Sequence, residues 1–344
     1  MRVAEFDYNL PKELIAQSPQ DKRDESRLLI LNRLTGEIKE SIFRNIINFL
    51  YPGDVLVIND TKVIPARIYG RINGKKSGQI VELLLLREIE AGKWEALAKP
   101  AKKLKPGVIV TFNGAYAKVL ERKETGIRII EFQGINVREL LNKQGEIALP
   151  PYIKSKPKDI NRYQTIYAEK EGAIAAPTAG LHFTKELLSN ISNKGIEVVK
   201  LTLHCGLGTF RPVKVDLVEE HKMHLEEFEI TEETARIVNK AKKEHRRVIA
   251  VGTTVVRSLE SQAFLNKDNI SQIKANKGFT DLYIYPGYKY KIVDAMITNF
   301  HLPKSTLLML VCAFADKEFI FNAYKYAIEH KFRFYSFGDA KFIY

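Results

Sequence analysis

The sequence predicts a mixed α/β protein, with a sheet-and-helix main domain and a small six-stranded antiparallel β-barrel inserted into it. The length, 344 residues, is more than one ordinary hydrophobic core accommodates. Strand-like and helix-like segments alternate over 1–64 and 134–344, which is typical of a sheet covered by helices. Residues 65–133 show only short strand-like runs between turns, which indicates a barrel. We therefore expect an α/β domain formed by 1–64 plus 134–344 and an inserted barrel domain formed by 65–133.

The barrel prediction rests on regularly spaced strands and turns. Dipeptides typical of tight turns, such as Asn73-Gly74 and Asn113-Gly114, separate the runs. The six runs are Ala66–Ile72, Gln79–Arg87, Trp94–Lys99, Val108–Phe112, Ala115–Glu121 and Gly126–Phe132. This segment contains 14 Lys and Arg residues against 7 Glu and no Asp, which gives it a charge of +7. The barrel is therefore expected to carry over half of the net charge of +13.

The flanking segments contain helices and strands in alternation. The predicted helices are Phe183–Asn193, Glu232–His245 and Lys317–Lys331. The predicted strands are Asp54–Ile58, Glu197–Leu203, Val248–Val251, Ala295–Thr298 and Phe332–Phe337. Thr231 is a suitable N-cap for the second helix. The longest apolar run, Leu307–Ala315, is too short to span a bilayer, and the N-terminal residues lack a signal-peptide core, so we expect a cytoplasmic protein with no membrane partner.

Charge and cysteine content narrow the partners and cofactors. A net charge of +13 favours a polyanion, with nucleic acid as the first candidate, although a lysine-rich or thermophilic composition would also produce it. Two cysteines, Cys205 and Cys312, are too few for a disulfide framework or a cysteine-built zinc site. His221 and His224 are three residues apart, but no His-Glu-x-x-His pattern accompanies them. We expect no metal and no redox cofactor.

Four polar, glycine-marked clusters follow predicted strands or lie between them. They are Asn59-Asp60-Thr61, Ala176–Phe183, His204–Pro212 and Gly252–Arg257. Ligands of open α/β folds bind beyond the carboxyl ends of the strands, so these clusters are expected to meet in one pocket. A single cluster of this kind could be a tight turn with a helix cap. Four of them favour a binding or catalytic site.

Two patterns suggest a methyltransferase only weakly. Gly206-Leu207-Gly208 lacks the third glycine of the dinucleotide fingerprint, and Pro212 follows where a phosphate-facing helix should begin. Leu149-Pro150-Pro151-Tyr152 lacks the leading Asn or Asp of amino-group methyltransferases. A tRNA or rRNA methyltransferase, and a non-catalytic RNA-binding protein built on the basic barrel, therefore remain as alternative functions.

Three long motifs carry a resemblance to one family. They are Ala-Pro-Thr-Ala-Gly-Leu-His-Phe at 176–183, His-x-Gly-x-Gly-Thr-Phe-Arg-Pro-Val at 204–213 and Thr-Asn-Phe-His-Leu-Pro-Lys-Ser-Thr at 298–306. Together with shorter stretches over nearly the whole chain, they resemble the S-adenosylmethionine:tRNA ribosyltransferase-isomerases of queuosine biosynthesis. Two places depart from the family pattern: Cys205 replaces a small aliphatic residue, and Ala340–Tyr344 replaces a more apolar ending.

The resemblance implies a reaction and its partners. The ribosyl moiety of S-adenosylmethionine would move to 7-aminomethyl-7-deazaguanine at the wobble position of tRNA and isomerise, which gives epoxyqueuosine, adenine and methionine. The partners would be S-adenosylmethionine and tRNA carrying the modified deazaguanine in its anticodon. S-adenosylmethionine would be a consumed co-substrate, so no cofactor is expected, and we expect a monomer. The family is also described as an α/β domain with an inserted β-barrel.

The reaction requires particular side chains. The sulfonium acidifies the adjacent ribose carbon, so a general base of near-neutral pKa is needed. The candidate catalytic residues are His204 and His301, then His182, with Asp60 and Asp339 for ribose hydroxyls or the departing adenine. The candidate substrate-binding residues are Thr61, Arg67, Thr178, Gly180, Gly206, Gly208, Thr209, Arg211, Gly252, Thr253, Arg257 and Asn299. The candidate tRNA-binding residues are Lys99, Lys102, Lys103 and Lys105.

Overall fold

A computed structural model describes residues 1–73, 78–154, 157–206 and 213–344. Its α-helices are α1 (Val137–Gln144), α2 (Lys185–Asn193), α3 (Glu232–Lys243), α4 (Thr253–Ser261), α5 (Thr306–Phe314) and α6 (Lys317–Glu329). Its strands are β1 (Arg27–Leu31), β2 (Ile38–Ile42), β3 (Val55–Asn59), β4 (Thr61–Val63), β5 (Arg67–Ile72), β6 (Ile80–Glu90), β7 (Lys93–Lys99), β8 (Ile109–Phe112), β9 (Ala115–Arg122), β10 (Arg128–Gln133), β11 (Lys170–Ala173), β12 (Glu197–Leu203), β13 (Glu226–Ile230), β14 (Val248–Val251), β15 (Ala263–Leu265), β16 (Ser271–Ile273), β17 (Asn276–Thr280), β18 (Ala295–Asn299) and β19 (Ala340–Ile343). Short 3₁₀ turns join many of these elements.

The first compact unit, formed by Met1–Lys62, Pro151–Lys170 and Ala176–Tyr344, is built on one mixed sheet. The strand order is β17-β13-β12-β3-β14-β18-β19-β1-β2. The four strands β12, β3, β14 and β18 run parallel to one another. Every residue of β3, β14 and β18 is buried, which explains their near-continuous apolar sequences.

The carboxyl ends of these parallel strands lie at one edge of the sheet. The strands end there at Asn59, Leu203, Val251 and Asn299. β19 runs antiparallel to β18 and pairs Ala340 with Asn299, so the residues that precede β19 reach the same edge. The chain segments after β3, β12, β14 and β18 therefore surround one location.

Most helices of this unit, namely α2, α3, α5 and α6, begin at side-chain caps. Thr231 accepts a hydrogen bond from the Thr234 amide at 3.2 Å, so the predicted N-cap of α3 is confirmed. Ser305 caps α5 in the same way, at 3.2 Å from the Leu308 amide nitrogen. Most residues of α5 are buried. No helix in the described ranges is both long and apolar enough to cross a membrane.

The second compact unit, formed by Val63–Pro150 and Glu171–Ala175, contains a closed barrel. The order around the barrel is β10-β7-β6-β5-β8-β9, and each neighbouring pair is antiparallel. Alternate residues point inward, as along β5, where Ile68 and Ile72 are buried. Trp94 and Leu83 add to this interior, and α1 packs Leu140 against it. The predicted α/β fold with a six-stranded antiparallel barrel is confirmed.

The predicted strand Phe332–Phe337 is wrong, because this segment is a compact turn and the strand comes later, at Ala340–Ile343. The cause is Asp339, which is completely buried. Its Oδ2 accepts the Arg333 amide at 2.8 Å and its Oδ1 accepts the Arg27 amide at 2.9 Å. One carboxylate therefore closes the turn on itself and ties it to the start of β1.

Candidate active site

A cleft opens at the carboxyl edge of the parallel strands. Its empty space is about 630 Å³, counting the part open to solvent. Its lining comes from the segments that follow β12, β14 and β18, from 176–179, and from single residues of the 150s, 160s and 330s. It includes Tyr152, Tyr163, Thr178, Cys205, Gly252, Thr253, Thr298, Asn299, His301, Tyr335 and Ser336, whereas Asp60, Thr61 and His204 do not line it. Clusters that are far apart in sequence thus meet at one cleft.

The start of α4 forms one wall. Gly252 has φ of +92°, a conformation that favours glycine, and its amide donates to the Ile297 carbonyl at 2.8 Å. No side chain caps α4, and Gly252, Thr253 and Thr254 at its N-terminal end line the cleft, so the positive end of the helix dipole lies at the cleft.

His301 lies in the cleft wall and is 8% exposed. Its Nε2 is 2.9 Å from the Thr298 hydroxyl, and its backbone amide donates to Tyr324 Oη at 2.9 Å. The pKa of His301 is well below its usual value, chiefly because the ring is buried and also because a proton on the neighbouring Lys341 would repel one on the ring. The imidazole is therefore neutral at pH 7.

His182 occupies a different environment. Its Nε2 accepts from Asn299 Nδ2 at 3.2 Å, so Nδ1 carries the proton that is donated to Ser26 Oγ at 2.6 Å. The ring stacks on Phe43 with centroids 5.0 Å apart. Burial lowers the pKa of His182 to about 3. The same Asn299 accepts from the Thr178 hydroxyl at 3.0 Å, so His182 fixes a residue of the cleft wall.

His204 is only partly buried and directly precedes Cys205 in the chain. Its Nδ1 is 2.8 Å from the Thr61 hydroxyl, and in the described part of the chain its Nε2 has no hydrogen-bond partner. Burial is the main cause that lowers the pKa of His204. Asp60 is buried, which raises its pKa, and its Oδ1 accepts from the Thr202 hydroxyl at 2.7 Å. His204, Thr61 and Asp60 thus lie around the ends of two neighbouring strands.

Two predicted site residues have internal partners. Arg257 is 5% exposed and forms an ion pair with buried Glu226, while its Nε donates to a backbone carbonyl. Glu226 also accepts the Gly206 amide at 2.8 Å, so this ion pair holds the segment after β12. Asp339 closes the turn at 333–339 with both of its oxygens.

The remaining predicted residues lie elsewhere. Gly180 is buried in the turn Thr178–His182. Arg67 belongs to the barrel unit, 3.4 Å from Glu82, and the four predicted tRNA-binding residues of that unit, Lys99, Lys102, Lys103 and Lys105, are exposed. Gly208, Thr209 and Arg211 fall outside the described residues. Within the described ranges, no three His, Cys, Asp or Glu side chains are arranged to hold a metal ion.

Sequence reasoning missed the aromatic part of the cleft. Tyr152 and Tyr335 pack with ring centroids 4.8 Å apart, and Tyr152 Oη lies 2.7 Å from Ser336 Oγ. Tyr163 adds a third ring to the lining. Aromatic faces of this kind suit a planar base. The sequence offered one signal, the Leu149–Tyr152 motif, whose residues suggested only an incomplete methyltransferase pattern.

Comparison with known proteins identifies the family. The chain matches the family described as "Queuosine biosynthesis protein" over residues 3–343. The chain belongs to this family. Among its relatives in the queuosine biosynthesis family, a protein named S-adenosylmethionine:tRNA ribosyltransferase-isomerase from Caldanaerobacter subterraneus subsp. tengcongensis is 55% identical over 346 residues and covers 100% of both chains. The protein of the same name from Carboxydothermus hydrogenoformans is 53% identical over 347 residues, also at 100% coverage of both.

A solved structure of this family has a similar fold. It is described as an S-adenosylmethionine tRNA ribosyltransferase from Thermotoga maritima and is 39% identical to the present chain. The match covers 99% of this chain and 100% of the other, with a TM-score of 0.56.

Proposed function

We propose that this protein is an S-adenosylmethionine:tRNA ribosyltransferase-isomerase of queuosine biosynthesis. It transfers the ribosyl moiety of S-adenosylmethionine to 7-aminomethyl-7-deazaguanine at the tRNA wobble position and isomerises it to give epoxyqueuosine, with release of adenine and methionine. The observation that supports this most strongly is full-length identity of 52–55% to four proteins of that name. The position of the cleft also supports the proposed function, because each of the three long motifs, at 176–183, 204–213 and 298–306, contributes residues to its lining.

The reaction begins with removal of a proton from the ribose carbon next to the sulfonium. A neutral imidazole in or beside the cleft is suited to this step. The two candidates are His301, which lines the cleft, and His204, whose neighbour Cys205 lines it. His301 is in the wall itself, held through Thr298, whereas His204 is held through Thr61 and keeps Nε2 for a substrate. His182 acts as a positioning residue for Asn299, since both of its ring nitrogens are already bonded.

The polar and aromatic walls have separate roles in this proposal. The rings of Tyr152 and Tyr335 provide a surface for a planar base such as adenine. Thr253, at the start of α4, and Thr178 supply hydroxyls to the ribose and to the charge that develops during its rearrangement. Arg257 supports the Gly206 segment through Glu226. A monomeric state, cytoplasmic location and absence of a cofactor remain predictions.

Product analysis tests the function directly. The full-length protein is incubated with S-adenosylmethionine and a tRNA that carries 7-aminomethyl-7-deazaguanine, and the products are separated by chromatography and mass spectrometry. We expect adenine and methionine in equal amounts, together with a nucleoside enlarged by a ribosyl-derived unit. The same tRNA with unmodified guanine at the wobble position is the control and should release no adenine. Formation of S-adenosylhomocysteine would instead identify a methyltransferase, and no product would leave RNA binding alone.

A further inference from the structure

Three arginines converge beside the cleft on one short segment of the chain. Arg162 donates from NH2 to the Gln20 carbonyl at 2.6 Å and from NH1 to the Asp21 carbonyl at 2.9 Å. Arg333 donates to the Ser18 carbonyl, so both guanidinium groups lie against this segment. Arg23, which follows it, donates to the Leu181 carbonyl at 3.0 Å.

The charge of this arginine cluster (Arg23, Arg162 and Arg333) is not neutralised by an ion pair in the described part of the protein. Arginines elsewhere, such as Arg246 and Arg247, contact a carboxylate. Within the described residues, by contrast, no carboxylate oxygen lies within 4 Å of a guanidinium nitrogen of the cluster. Burial, and then the charge of Arg162, lower the pKa of Arg23, while the more distant Asp159 acts in the opposite direction. Three adjacent positive charges without an ion-pair partner among these residues indicate that an anion binds there.

Free donors remain in the arginine cluster. Each guanidinium has five N–H groups, and backbone carbonyls use only one or two per arginine. The Nε of Arg162 is buried and, among the described residues, has no hydrogen-bond partner. A buried donor without a partner is costly, and a bound ligand oxygen would satisfy it.

The position of the cluster relative to the cleft suggests which anion it binds. Arg23 and Arg162 line a small pocket together with His182 and Ser336, and Ser336 also lines the cleft. The two openings are therefore adjacent. A nucleotide whose base enters the cleft must leave its flanking phosphates just outside it.

We propose that Arg23, Arg162 and Arg333 bind a backbone phosphate of the RNA substrate, next to the nucleotide that is modified. This inference rests on the proposed function for the identity of the RNA, and it adds a phosphate site on the α/β unit to the lysines of the barrel. The chemistry is the paired N–H donation that guanidinium groups offer to phosphate oxygens. The carboxylate of S-adenosylmethionine is the other oxyanion available, and the test separates the two.

The test combines arginine substitutions with RNA that lacks one backbone charge. Affinities of the full-length protein are measured for three synthetic anticodon stem–loops. One has normal phosphates, and each of the other two has a single neutral methylphosphonate, on the 5′ or on the 3′ side of the wobble nucleotide. The variants are Arg23→Gln and Arg162→Gln, in which the amide can still donate to a backbone carbonyl. Arg246→Gln is the matched control, because Arg246 also donates to a carbonyl, that of Gly53, but is paired with Glu197.

We expect wild type to bind about tenfold or more weakly to RNA with one of the two methylphosphonates. Arg23→Gln and Arg162→Gln should show a similar weakening with normal RNA and little additional weakening with that methylphosphonate. Their salt dependence should flatten by roughly 0.7–0.9 units of log–log slope for each phosphate that is no longer bound, and Arg23→Lys should keep the slope. Arg246→Gln should behave as wild type.

Affinity for S-adenosylmethionine, measured by calorimetry, completes the test. It should stay within about twofold of wild type in each variant. The variants could instead lose affinity for S-adenosylmethionine and still bind normal RNA as tightly as wild type. That result would assign the cluster to the methionine carboxylate and overturn the phosphate site. Wild type that binds both methylphosphonate RNAs as tightly as normal RNA would also overturn it, and this measurement requires no substitution that could harm folding. If wild type releases adenine but neither methylphosphonate weakens its RNA binding, the proposed function stands and the phosphate site is rejected.

Discussion

Lys341 shows how a single buried charge is accommodated near the candidate base. Its side chain is completely buried, its Nζ donates to Tyr324 Oη at 2.6 Å, and it lies 5.0 Å from the Phe300 ring centroid. Burial lowers the pKa of Lys341 well below its usual 10.5. The same Tyr324 hydroxyl accepts the His301 amide, so the lysine and the histidine share a partner. The stability cost of this lysine should therefore be measurable.

We predict that Lys341→Met stabilises the protein by about 1–3 kcal/mol at pH 7, because methionine fills a similar volume without desolvating an amine. The pKa of Lys341 is depressed in the folded state, so the unfolded chain binds more protons at neutral pH and wild-type stability rises toward pH 10.5. The gain from Lys341→Met should shrink over the same range. Urea unfolding at pH 7 and pH 9 measures it, with Lys325→Met on the exposed face of α6 as the control. A destabilised Lys341→Met protein would contradict the prediction.

Histidines that look alike in sequence differ in the protons they can exchange. His301 and His204 each have one ring nitrogen bonded to a threonine hydroxyl, whereas His182 has both nitrogens bonded. We predict that at least one of His301→Ala and His204→Ala lowers turnover by about 100- to 10,000-fold. His245→Asn, at an exposed residue with positive φ, is the control and should stay near wild type. Adenine release under saturating substrates measures turnover. If both variants stay within a fewfold of wild type, the base lies elsewhere and Asp60 becomes the next candidate.

His182 should make the protein sensitive to acid. The pKa of His182 is about 3 in the folded state and 6.5 in an ordinary histidine. Below pH 6.5 the unfolded chain therefore binds a proton at this residue that the folded protein does not bind. Stability is therefore lost as the pH falls from 6.5 toward 3, by at most ~1.4 kcal/mol per pH unit from this group. We predict that His182→Gln, measured by denaturant unfolding at pH 7 and pH 5, loses less stability over this interval than wild type. An equal loss in both would show that other groups control the acid response.

At the scale of elements, the sequence predicted what local patterns determine. β12 and β14 have the predicted bounds, since apolar β-branched runs between turns specify buried strands. The segment 332–337 was predicted wrongly because its apolar residues resemble a strand, while the turn depends on Asp339 reaching the Arg27 amide across the sheet. The pairing of Arg257 with Glu226, 31 residues away in the chain, was not predicted either, and a substrate-binding role for Arg257 stays a prediction. Contacts between distant segments were beyond what spacing and composition could indicate.

The turn Thr178–His182 depends on close packing at Gly180. A Cβ there would lie 2.1 Å from Tyr167 Oη and 2.8 Å from Thr165 Cγ2, so neighbouring side chains would have to move. We predict that Gly180→Ala destabilises the protein by about 1–3 kcal/mol. Thermal or urea unfolding measures this. In a Tyr167→Phe background the same substitution should cost less, because the nearest clashing atom is gone. An identical cost in both backgrounds would argue against the Tyr167 contact as the cause.

At the scale of the whole molecule, positive charge is concentrated on one loop segment of the barrel unit. The exposed residues Lys99, Lys102 and Lys105 have no carboxylate partner in the described ranges. The segment they belong to is held by buried Arg128, whose guanidinium donates to the carbonyls of Ala101, Leu104 and Gly126. A buried arginine that fixes a loop of lysines presents their charge at a defined place, and this favours a phosphate-binding role over a merely lysine-rich composition.

We therefore predict that Lys102→Glu with Lys103→Glu weakens tRNA binding and flattens its salt dependence. Fewer counterions are released for each phosphate that is no longer bound, which should lower the log–log slope by roughly 0.7–0.9 units. Affinity for S-adenosylmethionine and the thermal midpoint should stay nearly unchanged, since both lysines are exposed. The control is Lys240→Glu with Lys325→Glu, an equal change of charge on α3 and α6, whose lysine side chains are 60% and 76% exposed. If both pairs alter the salt slope equally, net charge alone explains the effect. Unaltered tRNA affinity of the barrel variant at low salt would show that the anticodon arm is held by the α/β unit alone.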